Sequence, residues 1–177
     1  MADKERVAIF IDGSNFYHSV KHLKIADKID FQKLVNELVE GRELVKVFYY
    51  NASLDISANP EIYWKQQKFF DMLRKLPKFE VILCKLRKAK RDGKVEYEMK
   101  GDDTHLVSDF VGEAYENLYD TAIIVSGDED FISPIERVEK LGKKIENAYF
   151  SSSSSYNLRK ACSKSIQINK IINKILI

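Results

Sequence analysis

Two uninterrupted apolar runs constrain this chain more than anything else in it. Val7-Ala8-Ile9-Phe10-Ile11 and Ala122-Ile123-Ile124-Val125 each read as a strand buried on both faces, the pattern of a parallel sheet covered by helices. Each run ends in a polar segment with the grammar of a strand-to-helix junction: Asp12-Gly13-Ser14-Asn15 after the first, Ser126-Gly127-Asp128-Glu129-Asp130 after the second. An open α/β sheet places its ligand crevice just past the carboxyl ends of such strands, where strand order reverses and two loops diverge. Two strand ends therefore deliver Asp12, Asp128 and Asp130 to one cleft.

The rest of the chain alternates in the same way. Phe16, Val20 and Leu23 sit at helical spacing, and Asp30 reads as the N-cap of a helix through Phe31, Leu34, Val35 and Leu38 that stops at Gly41. Leu44 to Tyr50 is a second strand, and Asn59-Pro60 opens a helix to about Leu76. A third strand runs from Phe79 to about Leu86, and Asp92-Gly93 folds Val95 to Met99 back on it as a hairpin. Asp102 to Leu118 is amphipathic, Phe131 to Leu141 is helical, and Lys144 to Phe150 and Ser165 to Ile168 are further strands. Strands joined by helices predict a mainly parallel, doubly wound sheet with right-handed crossovers. Ser151 to Ser155 reads as a short polar loop, not a boundary, so residues 1–177 are expected to form one domain. The apolar tail from Ile168 to Ile177 either seals the sheet edge or makes a homodimer contact.

Composition excludes more than it assigns. With 45% hydrophobic residues over 177 positions the chain is globular, and 29 basic against 27 acidic residues mean that net charge singles out no polyanionic partner. Polar Ala-Asp-Lys-Glu-Arg follows Met1, and no apolar run approaches the ~18 residues of a membrane span, so a cytoplasmic protein is expected. Cys84 and Cys162 are expected to be reduced, and the three histidines share no metal-ligand spacing with them, so neither a zinc cluster nor a Cys-His nucleophile is supported.

A third acidic segment, Lys100-Gly101-Asp102-Asp103, opens the amphipathic helix. Together Asp12, Asp103, Asp128 and Asp130 form an all-oxygen ligand set suited to Mg2+ or Mn2+. Such an ion lowers the pKa of coordinated water, clamps phosphate oxygens, and relieves the mutual repulsion of crowded carboxylates. Standing alone, each segment also has a plainer reading: Asp12 or Asp130 as a helix N-cap, Asp102 and Asp103 as first-turn acids favoured by the helix dipole. Asp109 lies about 240° round the helix from Asp103 and is expected beside the site, not in it.

VAIFIDGSNFY over residues 7–17, KGDDTHLVSD over 100–109 and IIVSGDEDFISP over 123–134 resemble, in order, the three motifs of the NYN domain family, LabA-like branch, within the PIN-like ribonuclease superfamily. The resemblance implies a PIN-like three-layer α/β/α sandwich with a mainly parallel central sheet and a β-hairpin insertion. It implies metal-dependent endonucleolytic cleavage of RNA, with Asp12, Asp103, Asp128 and Asp130 as acidic positions, Asn15 as the polar site residue, and Ser14 and Ser126 binding phosphate or water. Two departures stand out: Asp102 adds an acid where the branch usually has an apolar residue, and Leu158-Arg159-Lys160-Ala161-Cys162 replaces a Leu-x-x-Ala-Asp-like helix.

Lys85, Arg87, Lys88, Lys90, Arg91 and Lys94 crowd the hairpin, which leads into Lys100 and the acidic motif. A basic ribbon there would grip phosphates flanking the scissile one; its plainer reading is protection of an edge strand. Tyr17, Tyr49, Tyr50 and Tyr97 are candidates for stacking on unpaired bases or, more simply, core residues. The sequence thus reads as a Mg2+- or Mn2+-dependent ribonuclease, and alternatively as a non-catalytic RNA-binding or partner-binding domain of the same fold.

Overall fold

The computed structural model describes residues 4–99 and 101–177, and of residues 87, 89 and 97–99 the backbone only. Six strands form one parallel sheet: β1 (Arg6–Asp12), β2 (Glu43–Ala52), β3 (Phe79–Cys84), β6 (Thr121–Val125), β7 (Lys144–Tyr149) and β8 (Lys164–Gln167), in the order β3-β2-β1-β6-β7-β8. β4 (Leu86–Arg91) and β5 (Lys94–Met99) make a separate antiparallel hairpin around Asp92-Gly93. The order reverses between β1 and β6, which pair from Val7↔Thr121 to Ile11↔Val125. The two apolar runs are therefore neighbours, and the loops that follow them diverge from one point.

Strand alternation sends successive β1 residues into two separate cores. Ile9 and Ile11 pack with Phe16 and Val20 of α1 (Gly13–His22), Leu34 and Leu38 of α2 (Phe31–Val39), and Phe70 and Leu73 of α3 (Pro60–Arg74). Ala8 and Phe10 pack on the other face with Leu106 and Phe110 of α4 (Asp102–Tyr115), Ile135 and Val138 of α5 (Ile132–Glu139), and Leu158 of α6 (Tyr156–Ala161). The result is an α/β/α sandwich. It also explains why these strands are apolar throughout, since neither face meets water.

Local signals set most boundaries. The Asp30 carboxylate caps α2 by accepting from Lys33 N, and Asn59 caps α3 by accepting from Ile62 N ahead of Pro60 at the first position. Several elements differ from expectation. Glu40, one residue before Gly41, takes the left-handed conformation that ends α2. The third strand stops at Cys84 instead of running to Leu86, and Lys85 sits in the break before the hairpin. A 3-10 turn over Glu129–Phe131 precedes α5, so that helix begins at Ile132.

The tail is resolved as α7 (Ile168–Ile175), whose Ile168 and Ile175 are fully buried and which packs along α2. Asp30 N donates to Ile175 O at 2.8 Å, fixing the last helix to the start of α2. At the opposite end of the sheet from the Asp12 junction, Arg42 donates to both carboxylate oxygens of Glu146 (2.8 and 3.0 Å) and to the Leu38 and Val39 carbonyls, closing the C-terminus of α2.

Candidate active site

Asp12 is the last residue of β1 and the N-cap of α1, and it is 7% exposed. Its Oδ1 accepts from Asn15 N at 3.0 Å and its Oδ2 accepts from the Ser126 hydroxyl at 2.9 Å. The carboxylate is thereby held in one orientation by both strand-end loops. Ser126 Oγ also accepts from Asp128 N (3.2 Å), and Asp128 Oδ1 accepts from Asp130 N (2.9 Å), so Asp128 caps the 3-10 turn. Asn147 of β7 donates to Ser126 O at 2.8 Å and to Ile124 O at 3.1 Å, anchoring the same strand end from the neighbouring strand.

Asn15 works as a clasp. Its Oδ1 accepts from Gly127 N (3.2 Å) and from Ser153 Oγ (3.3 Å), while the Ser19 and Ser153 hydroxyls share a hydrogen bond of 2.9 Å. The serine run, expected to be a plain loop, is a 3-10 turn at Ser151–Ser153 pressed against Gly127. A Cβ on Gly127 would lie 1.3 Å from the Ser153 carbonyl oxygen, so only glycine permits this approach.

The remaining acids arrive on α4. Gly101, with φ of +101°, turns the chain into the helix and leaves its first turn without a side-chain cap. Among the described residues, Asp12, Asp102 and Asp103 each offer a carboxylate oxygen such that these atoms all lie within 4.8 Å of one another. Asp102, read from sequence as a first-turn acid and as a departure from the motif but not as a ligand, is thus one of the three that converge. Asp128 is half-buried and Asp130 exposed; neither belongs to this group of three, though both act on Asp103 through charge.

A signal for Asp102 was present in the sequence: it lies two helical turns before Asp109, on the stripe that carries the buried Leu106 and Phe110. Asp109 itself accepts from the Tyr50 hydroxyl at 2.9 Å. That bond pins α4 to β2 in the row next to Asp12, whose register partner is Tyr50.

The electrostatics record mutual repulsion among the clustered carboxylates. Burial, foremost, and then the carboxylates of Asp102, Asp12, Asp128 and Asp130 push the Asp103 carboxyl up to about 6. Burial also raises Asp12; the Asn15 N–H and Ser126 hydroxyl oppose the shift, and Asp102 and Asp128 add to it. Hard oxygen donors without His or Cys suit Mg2+ or Mn2+, and a cation among these acids would cancel their repulsion. Cys84 is unsuited as a ligand, because burial and the Asp102 and Asp103 charges raise its thiol above the ordinary value.

Of the other expected site residues, Ser14 is half-buried in the first turn of α1. Lys85, Lys90, Arg91 and Lys94 are exposed on the hairpin or its approach, and Lys88 pairs with Asp55 at 3.1 Å. The side chains of Arg87 and Tyr97, and Lys100 altogether, lie outside the described residues. Tyr49 and Tyr50 are 1% exposed and belong to the cores, whereas Tyr17, in the middle of α1, is 47% exposed.

A parallel sheet sandwiched by helices, with carboxylates gathered where its strand order reverses, defines a PIN-like α/β domain. The chain belongs to the NYN domain family, which it matches over residues 6–169; NYN domains are PIN-like, and nucleases as a class. Among solved structures, a protein of unknown function from Vibrio parahaemolyticus RIMD 2210633 superposes with a TM-score of 0.74 at 26% identity, covering 100% of this chain and 99% of that one. No curated protein is a significant match. Among the described residues no helix is long and apolar enough to cross a membrane.

Proposed function

We propose that this protein is a divalent-metal-dependent endoribonuclease of the LabA-like branch, hydrolysing phosphodiester bonds of flexible or single-stranded RNA in the cytoplasm and working as one domain. The observation that carries the reading is the convergence of Asp12, Asp102 and Asp103 at the switch point of the sheet. These three would hold Mg2+ or Mn2+, with Asp128 and Asp130 as flanking carboxylates. The bound ion supplies an activated water and charge compensation at the phosphate.

The chain's own residues supply the arrangement. Ser126 and the Asn15 backbone N–H fix both oxygens of Asp12, and the Asn15 side chain locks the loop carrying Asp128 to the loop carrying Asp12. Tyr50, by holding Asp109, sets the helix that brings Asp102 and Asp103. Ser14 would meet phosphate or water, whereas Ser126, buried and committed to Asp12 and the Asp128 N–H, orients the carboxylate instead; Lys85, Lys88, Lys90, Arg91 and Lys94 would form the basic approach to that site, which extends in sequence through Arg87 and Lys100. Phosphate contacts of this kind add affinity without base specificity.

The test is cleavage of pooled single-stranded and structured RNA across Mg2+ and Mn2+ titrations, with DNA and phosphomonoester controls. The wild type should cut RNA only with metal, and Asp12→Asn should lose activity while keeping its far-UV circular dichroism. Full activity in that variant would refute the reading. RNA binding unaltered by EDTA, with no cleavage at any metal concentration, would assign the domain to RNA binding instead.

A further inference from the structure

A cavity of about 400 Å3 opens at the carboxyl ends of β2 and β3, where the third strand breaks before the hairpin. It is lined by Leu54, Leu83, Cys84 and Leu86, by the paired Asp55 and Lys88, and by Lys85, which brings positive charge to it. The cavity adjoins the acidic cluster. Asp12 pairs with Tyr50 and Tyr50 with Ile82, and one side-chain repeat beyond that row Ala52 pairs with Cys84. The Cys84 thiol is near enough to Asp102 and Asp103 to feel both charges.

We propose that this cavity receives one unpaired base of the substrate strand, next to the phosphodiester held at the aspartates, and so makes the site selective for single-stranded RNA. The inference rests on the nuclease reading for the strand's placement and adds to it a nucleotide subsite. The volume lies in the range of small-molecule sites, toward the end suited to a single nucleotide. Leucine walls suit the faces of any base, and Lys85 suits a neighbouring phosphate, a combination that binds strands with little sequence preference. A base kept in a duplex stack cannot enter such a cavity without being extruded.

The walls are built before any ligand arrives. Gln66 accepts from Leu54 N at 2.9 Å and donates to Ala52 O at 3.0 Å, and Gln67 donates to Ser53 Oγ at 3.0 Å, so α3 holds the loop that carries Leu54. Asp55 is kept ionised by the Ser57 hydroxyl and N–H and by Lys88, and its 3.1 Å bridge to Lys88 ties the hairpin to that loop. Leu86, Lys88 and Lys90 share one face of β4 by alternation. Lys88 therefore straps the cavity, and Lys85, exposed in the strand break, is the cation placed for phosphate.

The experiment measures binding in EDTA, where no cleavage occurs, by the full chain. The probes are a fluorescent oligouridine roughly 12 nucleotides long, the same backbone made abasic, and a blunt duplex of equal length. Wild type should bind oligouridine about tenfold or more tighter than the abasic strand, and tighter than the duplex. Cys84→Met, which fills the cavity, and Leu54→Ala, at a 39% exposed position that should not endanger folding, should both erase most of the preference for bases. Lys85→Ala should weaken all single strands and lower the salt slope by about 0.7.

Equal affinity of wild type for the oligouridine and abasic strands would overturn the proposal. So would a folded Leu54→Ala or Cys84→Met protein that keeps the wild-type preference. Metal-dependent cleavage accompanied by either of those results removes the subsite and leaves the nuclease; base-dependent binding without cleavage removes the nuclease and leaves the subsite.

Discussion

Asp102→Asn should stabilise the metal-free protein. Two unit charges 4.8 Å apart repel by about 0.9 kcal/mol even in a water-like dielectric, and by several times that nearer a protein interior. Asp102 faces two such neighbours, Asp12 and Asp103, so neutralising it relieves about 1–2 kcal/mol of repulsion. Against this stands the loss of a first-turn acid at the N-terminus of α4, worth about 0.3–1 kcal/mol. The net gain of about 1 kcal/mol corresponds to a melting temperature higher by about 2–4 °C for a domain of this size.

The pH dependence identifies the cause. Asp103 takes up its proton near 6 in the folded chain against an ordinary value of 3.8, so between those values the native state holds more protons than the unfolded state and loses stability as pH rises. Replacing Asp102 lowers the folded value, so the gain should be near its full size at pH 8 and small at pH 5. Thermal melts with EDTA at both pH values measure this, and Mn2+ should then stabilise the wild type more than the variant. A variant less stable than wild type at pH 8, or an equal gain at both pH values, would show that the three carboxylates do not share one crowded space.

Three further outcomes are expected. Gly127→Ala would set a Cβ 1.3 Å from the Ser153 carbonyl oxygen, and displacing the serine turn should cost about 1–3 kcal/mol in urea denaturation. Arg42→Met strands the 7% exposed Glu146 and should cost about 3 kcal/mol at neutral pH, most of it recovered in the Arg42→Met/Glu146→Leu double variant. Ser126→Ala deprives Asp12 of a donor and the Asp128 N–H of an acceptor; it should raise the Asp12 carboxyl further and weaken Mn2+ binding by calorimetry about 10–100-fold.

What sequence reveals about this chain is what local physics decides. Apolar runs with no polar alternation give β1 and β6 and imply covered faces; Asp30 and Asn59-Pro60 mark helix starts by their capping chemistry; Asp92-Gly93 marks the hairpin. The junctions after β1 and β6 are legible for the same reason, because acids beside glycine interrupt strands that would otherwise stay buried. Contacts between distant segments are another matter. Nothing near Ser151 indicates that its turn presses on Gly127, and nothing near Lys85 marks the strand break, which depends on how the hairpin leaves the sheet. Asp102 falls between the two cases: its helical phase with Leu106 and Asp109 points it toward the sheet, while its convergence with Asp12 depends on the turn at Gly101 and the placement of α4 against β1 and β2.

The hydrogen bond from Ser126 to Asp12 joins residues 114 positions apart. On the ribosome, therefore, the first strand emerges long before the partner that orients its terminal carboxylate, and the loop bearing Asp128 follows later still. Parallel pairing across so long a stretch forms slowly, because the intervening chain must close a large loop before any contact rewards it. A nascent or truncated chain ending before β6 has its α4 acids and the local Asn15 bond to Asp12 but lacks the Ser126 donor, which delays completion of the acidic cluster until β6 and the loop after it have been made.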